Sequence, residues 1–275
     1  HIEDQHKETI LRYTYELAKA LNALGLINLQ YILMDGEIYV IEVNPRASRT
    51  VPYISKVTGV PMCDLATKVS LGYKLVDLGF GTGLYKPSPY VAVKVPVFSF
   101  EKLTDVDTHL GPEMKSTGEV LGIAESFPQA LLKAFKGANM KVPKKGGRVI
   151  VTVKDEDKGE MVGIARGLEE MGIEILATSG TCDALNAAGV PSRKVARVSQ
   201  AHPNILDMIA SGSVDLVINT PTRGRKHDTD GFKIRRAAVE HSVACVTAID
   251  TAHAILTVRE QGRSADLRPI DITKI

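Results

Sequence analysis

A carboxylate, a carboxamide and a guanidinium stand close together near the end of an apolar run. Glu42 and Asn44 are two residues apart, so in an extended strand both side chains leave the same face. Oxygen ligands of this kind suit Mg²⁺ that is also bound to substrate phosphates. Arg46 follows the strand and has the fork geometry to bind a phosphate through two hydrogen bonds. The alternative is a strand that ends in a solvated turn with a local salt bridge, and these residues alone do not decide between the two.

The preceding residues predict a hairpin that adds a third oxygen ligand. Two strands, over residues 26–34 and 37–43, are apolar on both faces, which predicts central and well-covered strands. A two-residue loop would pair Gln30 with Ile41, whereas a three-residue loop with a left-handed glycine would pair it with Glu42. We favour the second pairing, because it gathers three oxygen ligands on one surface. The competing interpretation is that Gln30 is a buried amide satisfied by backbone.

Composition excludes several classes of protein. The 275 residues suffice for two domains, and a formal net charge of +2 argues against a nucleic acid or a membrane as partner. Three widely spaced cysteines indicate a reducing cytoplasm without a disulfide framework, and no pair has metal-ligand spacing. No signal peptide and no apolar run of membrane-spanning length is visible. We therefore expect a cytoplasmic protein.

The chain has two patterns separated by a segment rich in lysine, glycine and proline. The first pattern predicts helices over 9–24, 62–71 and 127–135 and a strand over 90–100. The segment 136–147 is the best candidate for a boundary, which predicts domains over 1–140 and 147–275.

Beyond residue 147, strands and helices alternate. The predicted strands cover 148–153, 173–177, 195–198, 214–219 and 244–247. The predicted helices cover 158–171, 181–188, 203–210 and 231–241, and a final helix follows the last strand. Alternation of this kind predicts a parallel sheet with helices on both faces, in which ligands bind beyond the carboxyl ends of the strands.

Three polar clusters fall at those strand ends. Residues 178–181 join a strand to a helix start, Arg197 ends another strand, and Asn219 with Thr220 ends a third. A helix start offers N–H groups and a positive dipole to an anion, although a lone cluster is more simply an N-cap turn. Because all three clusters meet at one edge, we favour a phosphate-bearing small ligand. The basic residues 223–226, with Arg235 and Arg236, could suggest RNA, but a phosphate clamp or an effector rim is the better interpretation.

Long motifs in the first half resemble a known family. They are Gln30 with residues 42–52, residues 57–61 (Val-Thr-Gly-Val-Pro) and residues 110–120 (Leu-Gly-Pro-Glu-Met-Lys-Ser-Thr-Gly-Glu-Val). These motifs resemble the ATP-grasp fold of the carbamoyl phosphate synthetase large subunit, in its second, carbamate-phosphorylating unit. The resemblance runs over essentially the whole chain. It implies that Gln30, Glu42 and Asn44 hold Mg²⁺ (or Mn²⁺) on ATP and that Arg46 is catalytic, facing the transferred phosphate.

The segment from about residue 147 resembles the methylglyoxal synthase-like fold, which serves either as a lyase or as an allosteric domain. The lyase needs a carboxylate to remove a proton, and His202 stands where its aspartate belongs, so we do not expect lyase catalysis. Residues 227–230 retain a His/Asp pattern of the lyase. The allosteric resemblance implies a nucleotide effector such as UMP or IMP. Its expected ligands are Lys158, Thr178, Ser179, Gly180, Thr181, Arg197, Asn219 and Thr220.

Together these resemblances predict an α/β chain: the distal part of an ATP-grasp domain (α+β), followed by a parallel-sheet, methylglyoxal synthase-like α/β domain. The implied reaction makes carbamoyl phosphate from bicarbonate, glutamine-derived ammonia and two ATP. The implied partners are the rest of the large subunit, a glutaminase small subunit and the effector, with a homo-oligomer left open. No glycine-rich phosphate loop precedes Gln30, so we expect a piece of a longer protein without ATP-dependent chemistry of its own. The alternatives are a lyase and a stand-alone nucleotide sensor.

Overall fold

The computed structural model describes residues 2–100, 114–200, 202–221, 229–261 and 267–274. The chain divides into two compact units: one runs up to Pro89 and includes the segment from Pro269 onward, and the other covers Tyr90–Arg268. By packing, residues 90–140 therefore go with the second unit. The limits of 1–140 and 147–275 stay a prediction about functional domains.

The first unit contains three α-helices, two short 3-10 helices (Leu75–Leu78 and Ile272–Lys274) and one hairpin in its described part. Its α-helices and strands are α1 (Asp4–Ala20), β1 (Asn28–Met34), β2 (Glu37–Asn44), α2 (Thr50–Thr58) and α3 (Met62–Ser70). Helix α1 ends earlier than the predicted residue 24, because Asn22 takes the left-handed conformation (φ 48°) that stops a helix. The N–H of Ala23 then bonds the carbonyl of Ala18 at 2.9 Å, which closes the last turn.

The β1–β2 hairpin has the predicted pairing with a different geometry. Its loop has two residues, Asp35 and Gly36, both with positive φ, rather than three. Gln30 nevertheless lies opposite Glu42, because Ile41 bulges out of β2. The bulge thus supplies the extra residue that the prediction had assigned to the loop.

The prediction that these strands are central and well covered is wrong. Among the described residues they form a two-stranded sheet, and apolar side chains on it are open to solvent. The exposed fraction is 47% for Ile32, 51% for Met34 and 59% for Ile41. A pair of strands without neighbours cannot cover two apolar faces. An apolar pattern therefore shows which residues favour burial, not what buries them.

The second unit begins with an antiparallel pair and a helix. They are β3 (Val91–Val97), β4 (Gly118–Ala124) and α4 (Phe127–Gly137). Helix α4 lies so close to β4 that a Cβ on Gly122 would stand 2.0 Å from the carbonyl oxygen of Ala130. Only glycine fits at that position.

A five-stranded parallel sheet follows, with strand order β7-β6-β5-β8-β9. Its strands are β5 (Arg148–Thr152), β6 (Glu174–Ala177), β7 (Arg193–Lys194), β8 (Leu216–Asn219) and β9 (Ala244–Val246). Its helices are α5 (Lys158–Glu170), α6 (Ser179–Ala187), α7 (Ile205–Ala210), α8 (Asp230–Glu240) and α9 (Ile249–Gln261). The predicted α/β fold of this half is confirmed.

One predicted strand, over 195–198, is wrong. The strand in that region is β7 at Arg193–Lys194, and only the N–H of Val195 still bonds β6, through the carbonyl of Ala177 at 2.9 Å. The chain then turns, because the side-chain oxygen of Gln200 accepts a hydrogen bond from the N–H of Arg197 at 2.7 Å. This turn sets Arg197 at the sheet edge.

The core of the second unit lies on both faces of the parallel sheet. Val149 and Leu216 belong to one cluster and Ile150 and Val217 to the other, and all four are completely buried. Each buried side chain of this size contributes about 1.5–3 kcal/mol relative to an exposed one. Among the described helices, none is both long and apolar enough to cross a bilayer.

Candidate functional sites

A cavity of about 270 Å³ lies at the carboxyl ends of the parallel strands. Strands β5, β6 and β8 run in the same direction, so the residues that follow them meet at one edge. The lining consists of Thr152, Val153, Asp155, Lys158, Thr178, Gly180, Thr181, Arg197, Val198, Asp230, Gly231 and Ile234. The three polar clusters singled out in the sequence are thus neighbours.

Five of the predicted effector residues line this cavity: Lys158, Thr178, Gly180, Thr181 and Arg197. The other three lie beside it: Ser179 is the first residue of α6, and Asn219 and Thr220 are buried behind the wall at the end of β8. The sequence interpretation named Asp230 only in the His/Asp pattern of the lyase. It did not include the remaining lining residues, which are Thr152, Val153, Asp155, Val198, Gly231 and Ile234. Thr152 could have been found, because it ends the central strand of the sheet.

The start of α6 presents its positive end to the cavity. Thr178 is the N-cap residue in extended conformation, but its hydroxyl donates to the hydroxyl of Thr152 at 3.1 Å instead of capping the helix. The hydroxyl of Thr181 accepts from the N–H of Val153 at 3.4 Å. Both threonines thus join α6 to the end of β5. The first N–H groups of α6 are left uncapped by Thr178, an arrangement that binds anions.

Two cations border the cavity. The ammonium of Lys158 lies 2.6 Å from a carboxylate oxygen of Asp155, and it would stand 3.2 Å from a Cβ on Gly180. The hydrogen bond from Lys158 lowers the pKa of Asp155, whose side chain is otherwise 92% exposed and able to swing away. In the described part of the chain, the guanidinium of Arg197 has no ion-pair partner. A phosphate can therefore take the place of Asp155 between Lys158 and α6.

Asn219 and Thr220 tie β8 to the end of β5. The hydroxyl of Thr220 accepts from the N–H of Lys154 at 3.0 Å. The amide of Asn219 donates to the carbonyl of Thr152 at 3.4 Å, and its oxygen accepts from Arg235 at 2.8 Å. Both residues are at least 95% buried, so they hold the cavity wall in place.

His202 lies outside the cavity lining. Its Nδ1 is 2.5 Å from a carboxylate oxygen of Asp207, and the same carboxylate accepts from the N–H of Asn204 at the start of α7. These two hydrogen bonds, that of Asn204 first, lower the pKa of Asp207. Of the His/Asp pattern, residues 227 and 228 lie outside the described residues. Thr229 caps α8 by accepting from the N–H of Phe232 at 3.3 Å.

The second site is on the hairpin of the first unit. The carboxylate of Glu42 accepts from the amide of Gln30 and from the amide of Asn44, each at 2.8 Å and on the same oxygen. Arg46 donates to the side-chain oxygen of Asn44 at 3.4 Å and to the carbonyl of Ala47 at 2.9 Å. All four predicted residues therefore meet in one hydrogen-bonded cluster on the protein surface.

The donor set of this cluster fits Mg²⁺ held jointly with phosphates. Among the described residues, His, Cys, Asp and Glu form no group of three that could hold a metal ion. One carboxylate with two carboxamides is a weak cage, of the kind that Mg²⁺ uses when substrate phosphates complete its shell. Both amides turn N–H groups toward Glu42, and a half-turn of each amide would offer its oxygen in the same direction.

Comparisons with known proteins found matches in both halves of the chain. The family described as "Carbamoyl-phosphate synthase L chain, ATP binding domain" matches residues 1–78, and the "MGS-like domain" matches residues 160–247. The carbamoyl phosphate synthase large chain of Lachnoclostridium phytofermentans is 52% identical over 274 residues, which cover 100% of this chain and 26% of that protein. The chain belongs to the carbamoyl phosphate synthase large-chain family. It spans about a quarter of the length of the curated relatives it matches.

The chain is also similar to another large chain and, weakly, to one solved structure. The carbamoyl phosphate synthase large chain of Clostridium botulinum (strain Alaska E43) is 50% identical over 273 residues, covering 98% of this chain and 26% of the relative. The crystal structure of methylglyoxal synthase from Elizabethkingia anophelis NUHP1 is 22% identical, with a TM-score of 0.34, and covers 42% of this chain and 79% of that chain. The family resemblance drawn from the motifs is confirmed by the large-chain relatives.

Proposed function

We propose that this chain is the C-terminal part of a carbamoyl phosphate synthase large chain, with the hairpin cluster in carbamate phosphorylation and the second unit as an effector-binding domain. The parent reaction would form carbamoyl phosphate from bicarbonate, glutamine-derived ammonia and two ATP in the cytoplasm. The partners would be the rest of the large chain and a glutaminase subunit. The observation that carries the effector role is the cavity where three strand ends meet Lys158 and the start of α6.

In the hairpin cluster, Gln30, Glu42 and Asn44 would hold Mg²⁺ (or Mn²⁺). The ion would neutralise the phosphates of ATP. Arg46, fixed by Asn44 and by its own loop, would place its guanidinium beside the transferred phosphate and stabilise the charge there. Glu42 is the centre of the cluster, because both amides are oriented by its carboxylate.

Glu42→Gln in a full-length large chain tests this role. We expect a loss of about 10²–10³-fold in carbamate phosphorylation, measured in reverse as ATP formed from ADP and carbamoyl phosphate, because the only charged ligand of the cluster is lost. The control is Glu37→Gln, which removes a carboxylate at the other end of the same strand. An unchanged rate for Glu42→Gln would leave only the effector role.

In the second unit, the phosphate of a nucleotide such as UMP or IMP would sit at the start of α6. The N–H groups of Ser179 and Gly180, together with Lys158, would bind its oxygens. Arg197 would add charge from the cavity lining, and Val198 and Ile234 offer apolar surface to the rest of the ligand. A volume of about 270 Å³ suits a small phosphorylated molecule.

Calorimetric titration of the 275-residue chain with UMP, IMP and inorganic phosphate tests the effector role. We expect 1:1 binding of a nucleotide, weakened about tenfold or more by Lys158→Met because a charge-assisted hydrogen bond to phosphate is lost. The matched control is Lys154→Met, since Lys154 pairs with Glu156 and Asp157 and does not line the cavity. Absence of binding by every phosphorylated ligand would overturn the effector role.

The lyase alternative has a separate test. Because His202 lies outside the cavity and is bonded to Asp207, we expect no methylglyoxal from dihydroxyacetone phosphate. Rapid methylglyoxal formation by the chain, abolished by Asp155→Asn or Asp230→Asn in the cavity wall, would contradict this expectation.

A further inference from the structure

Arg235 is a buried guanidinium directly behind the wall of the nucleotide cavity. It lies on α8, its exposed fraction is 4%, and its Nη1 donates to the side-chain oxygen of Asn219 at 2.8 Å. Arginine is rarely buried this deeply unless its donors are used. The sequence interpretation placed Arg235 in a phosphate clamp or an effector rim, without naming a partner for it.

The hydrogen bond from Arg235 decides which way the Asn219 amide faces. A guanidinium has donors and no acceptor, so only the oxygen of Asn219 can face it. The NH₂ group of Asn219 must then face the other way, where one N–H bonds the carbonyl of Thr152 at 3.4 Å. Thr152 lines the cavity, and in the described part of the chain the NH₂ group of Asn219 bonds no other acceptor.

Gly231 provides the space for this bond. A Cβ at Gly231 would lie 3.2 Å from Nη1 of Arg235 and 3.5 Å from the side-chain oxygen of Asn219. Gly231 also lines the cavity. The start of α8 therefore touches the ligand site and the Arg235–Asn219 pair at once.

We propose that Arg235 is a positioning residue that fixes Asn219 as a hydrogen-bond donor toward an acceptor oxygen of the phosphorylated ligand. The proposal rests on the effector role proposed above. It assigns the NH₂ group of Asn219 to the ligand, and Arg235 affects ligand binding through Asn219. The effects of substitutions at Arg235 and Asn219 on ligand affinity should therefore not be additive.

A double-mutant cycle with UMP tests this coupling. We expect Arg235→Met and Asn219→Ala each to weaken UMP binding about tenfold in calorimetry, and the double variant to bind no more weakly than Asn219→Ala. Arg235→Lys should recover part of the affinity, because it restores a donor. Thermal unfolding of each variant shows whether it remains folded.

Gly231→Ala keeps every polar group and tests the proposal should Arg235→Met not fold. We expect it to weaken UMP binding several-fold by pressing on the Arg235–Asn219 bond. Its matched control is Gly159→Ala, at the second residue of α5, where a Cβ would meet nothing within 4 Å. The control should bind as the original chain does.

The outcomes separate this proposal from the effector role. Suppose that the original chain binds UMP. Full UMP affinity in Arg235→Met would then overturn the positioning role alone. A double variant whose loss of affinity equals the sum of the losses in the two single variants would do the same. Full affinity in Gly231→Ala would do the same where Arg235→Met does not fold. If the original chain binds no phosphorylated ligand, the effector role fails first and the positioning role fails with it.

Discussion

The two units place their functional residues in opposite surroundings. In the second unit, Asn219 and Thr220 are buried and each polar atom is oriented by a hydrogen bond from a neighbouring element. In the first unit, Gln30 and Glu42 stand on an exposed hairpin and are oriented mainly by each other. The cavity of the second unit is therefore preorganised by its own core, whereas the hairpin cluster is held by a few bonds within one hairpin.

The apolar residues show the same contrast. Ile150 and Leu216 have no exposed surface, whereas Ile41 is 59% exposed. Because exposed contiguous apolar surface marks an interaction site, we expect the hairpin to be covered when this part belongs to a longer large chain.

The largest expected effect is on the free energy of unfolding, in two isoleucine-to-alanine variants, one in each unit. Ile150→Ala should lower the free energy of unfolding by about 2–5 kcal/mol, because it opens a cavity in a fully packed site. The matched change Ile41→Ala should cost less than about 0.5 kcal/mol, because most of that side chain is already in water. Urea unfolding followed by circular dichroism gives both values. Equal losses of unfolding free energy in the two variants would contradict this difference between the units.

A smaller effect is expected on the reaction rates of the cysteine thiols, which should also differ between the two units. Cys63 is exposed, Cys182 is buried, and burial raises the pKa of the Cys245 thiol to about 12, against a smaller opposing effect of Arg235. At pH 8, Cys63 should react with a thiol reagent more than tenfold faster than the other two, because the thiolate is the nucleophile. Mass spectrometry of the labelled peptides gives the rates. Labelling of Cys245 at the rate of Cys63 would show that the second unit opens freely.

The smallest expected effect concerns pH. The N–H of Asn204 and the ring of His202 hold the pKa of Asp207 below its ordinary value of 3.8. The charged form of Asp207 therefore stabilises the fold above that value, and this contribution is lost as the pH falls through the lowered pKa. Asp207→Asn should lower the melting temperature at pH 7 and make little difference near pH 2. A difference that grows toward low pH would contradict this sign.

The sequence predicted most of the second unit because its signals are local. Buried strands such as residues 148–152 are continuous apolar runs, and the alternation with helices leaves one sheet topology. The edge of the sheet was predicted less well, since the two-residue strand β7 carries almost no pattern.

Some features of the candidate sites could be predicted from the sequence and others could not. The pairing of Gln30 with Glu42 follows from strand register, and the cavity follows from the rule about parallel strand ends. The bond between Arg235 and Asn219 could not be predicted from the sequence, because no spacing links the two residues and only the packing of α8 on β8 brings them together. The exposure of the hairpin could not be predicted either, since an apolar strand does not encode what lies next to it.

Crystals of the chain grown with UMP would test the central claim most directly. We expect one nucleotide in the cavity, with its phosphate between Lys158 and the first N–H groups of α6. Asp155 should be turned away from Lys158, and the amide of Asn219 should donate to the ligand. A nucleotide bound elsewhere, or a cavity that stays without ligand at concentrations that saturate binding in solution, would contradict it.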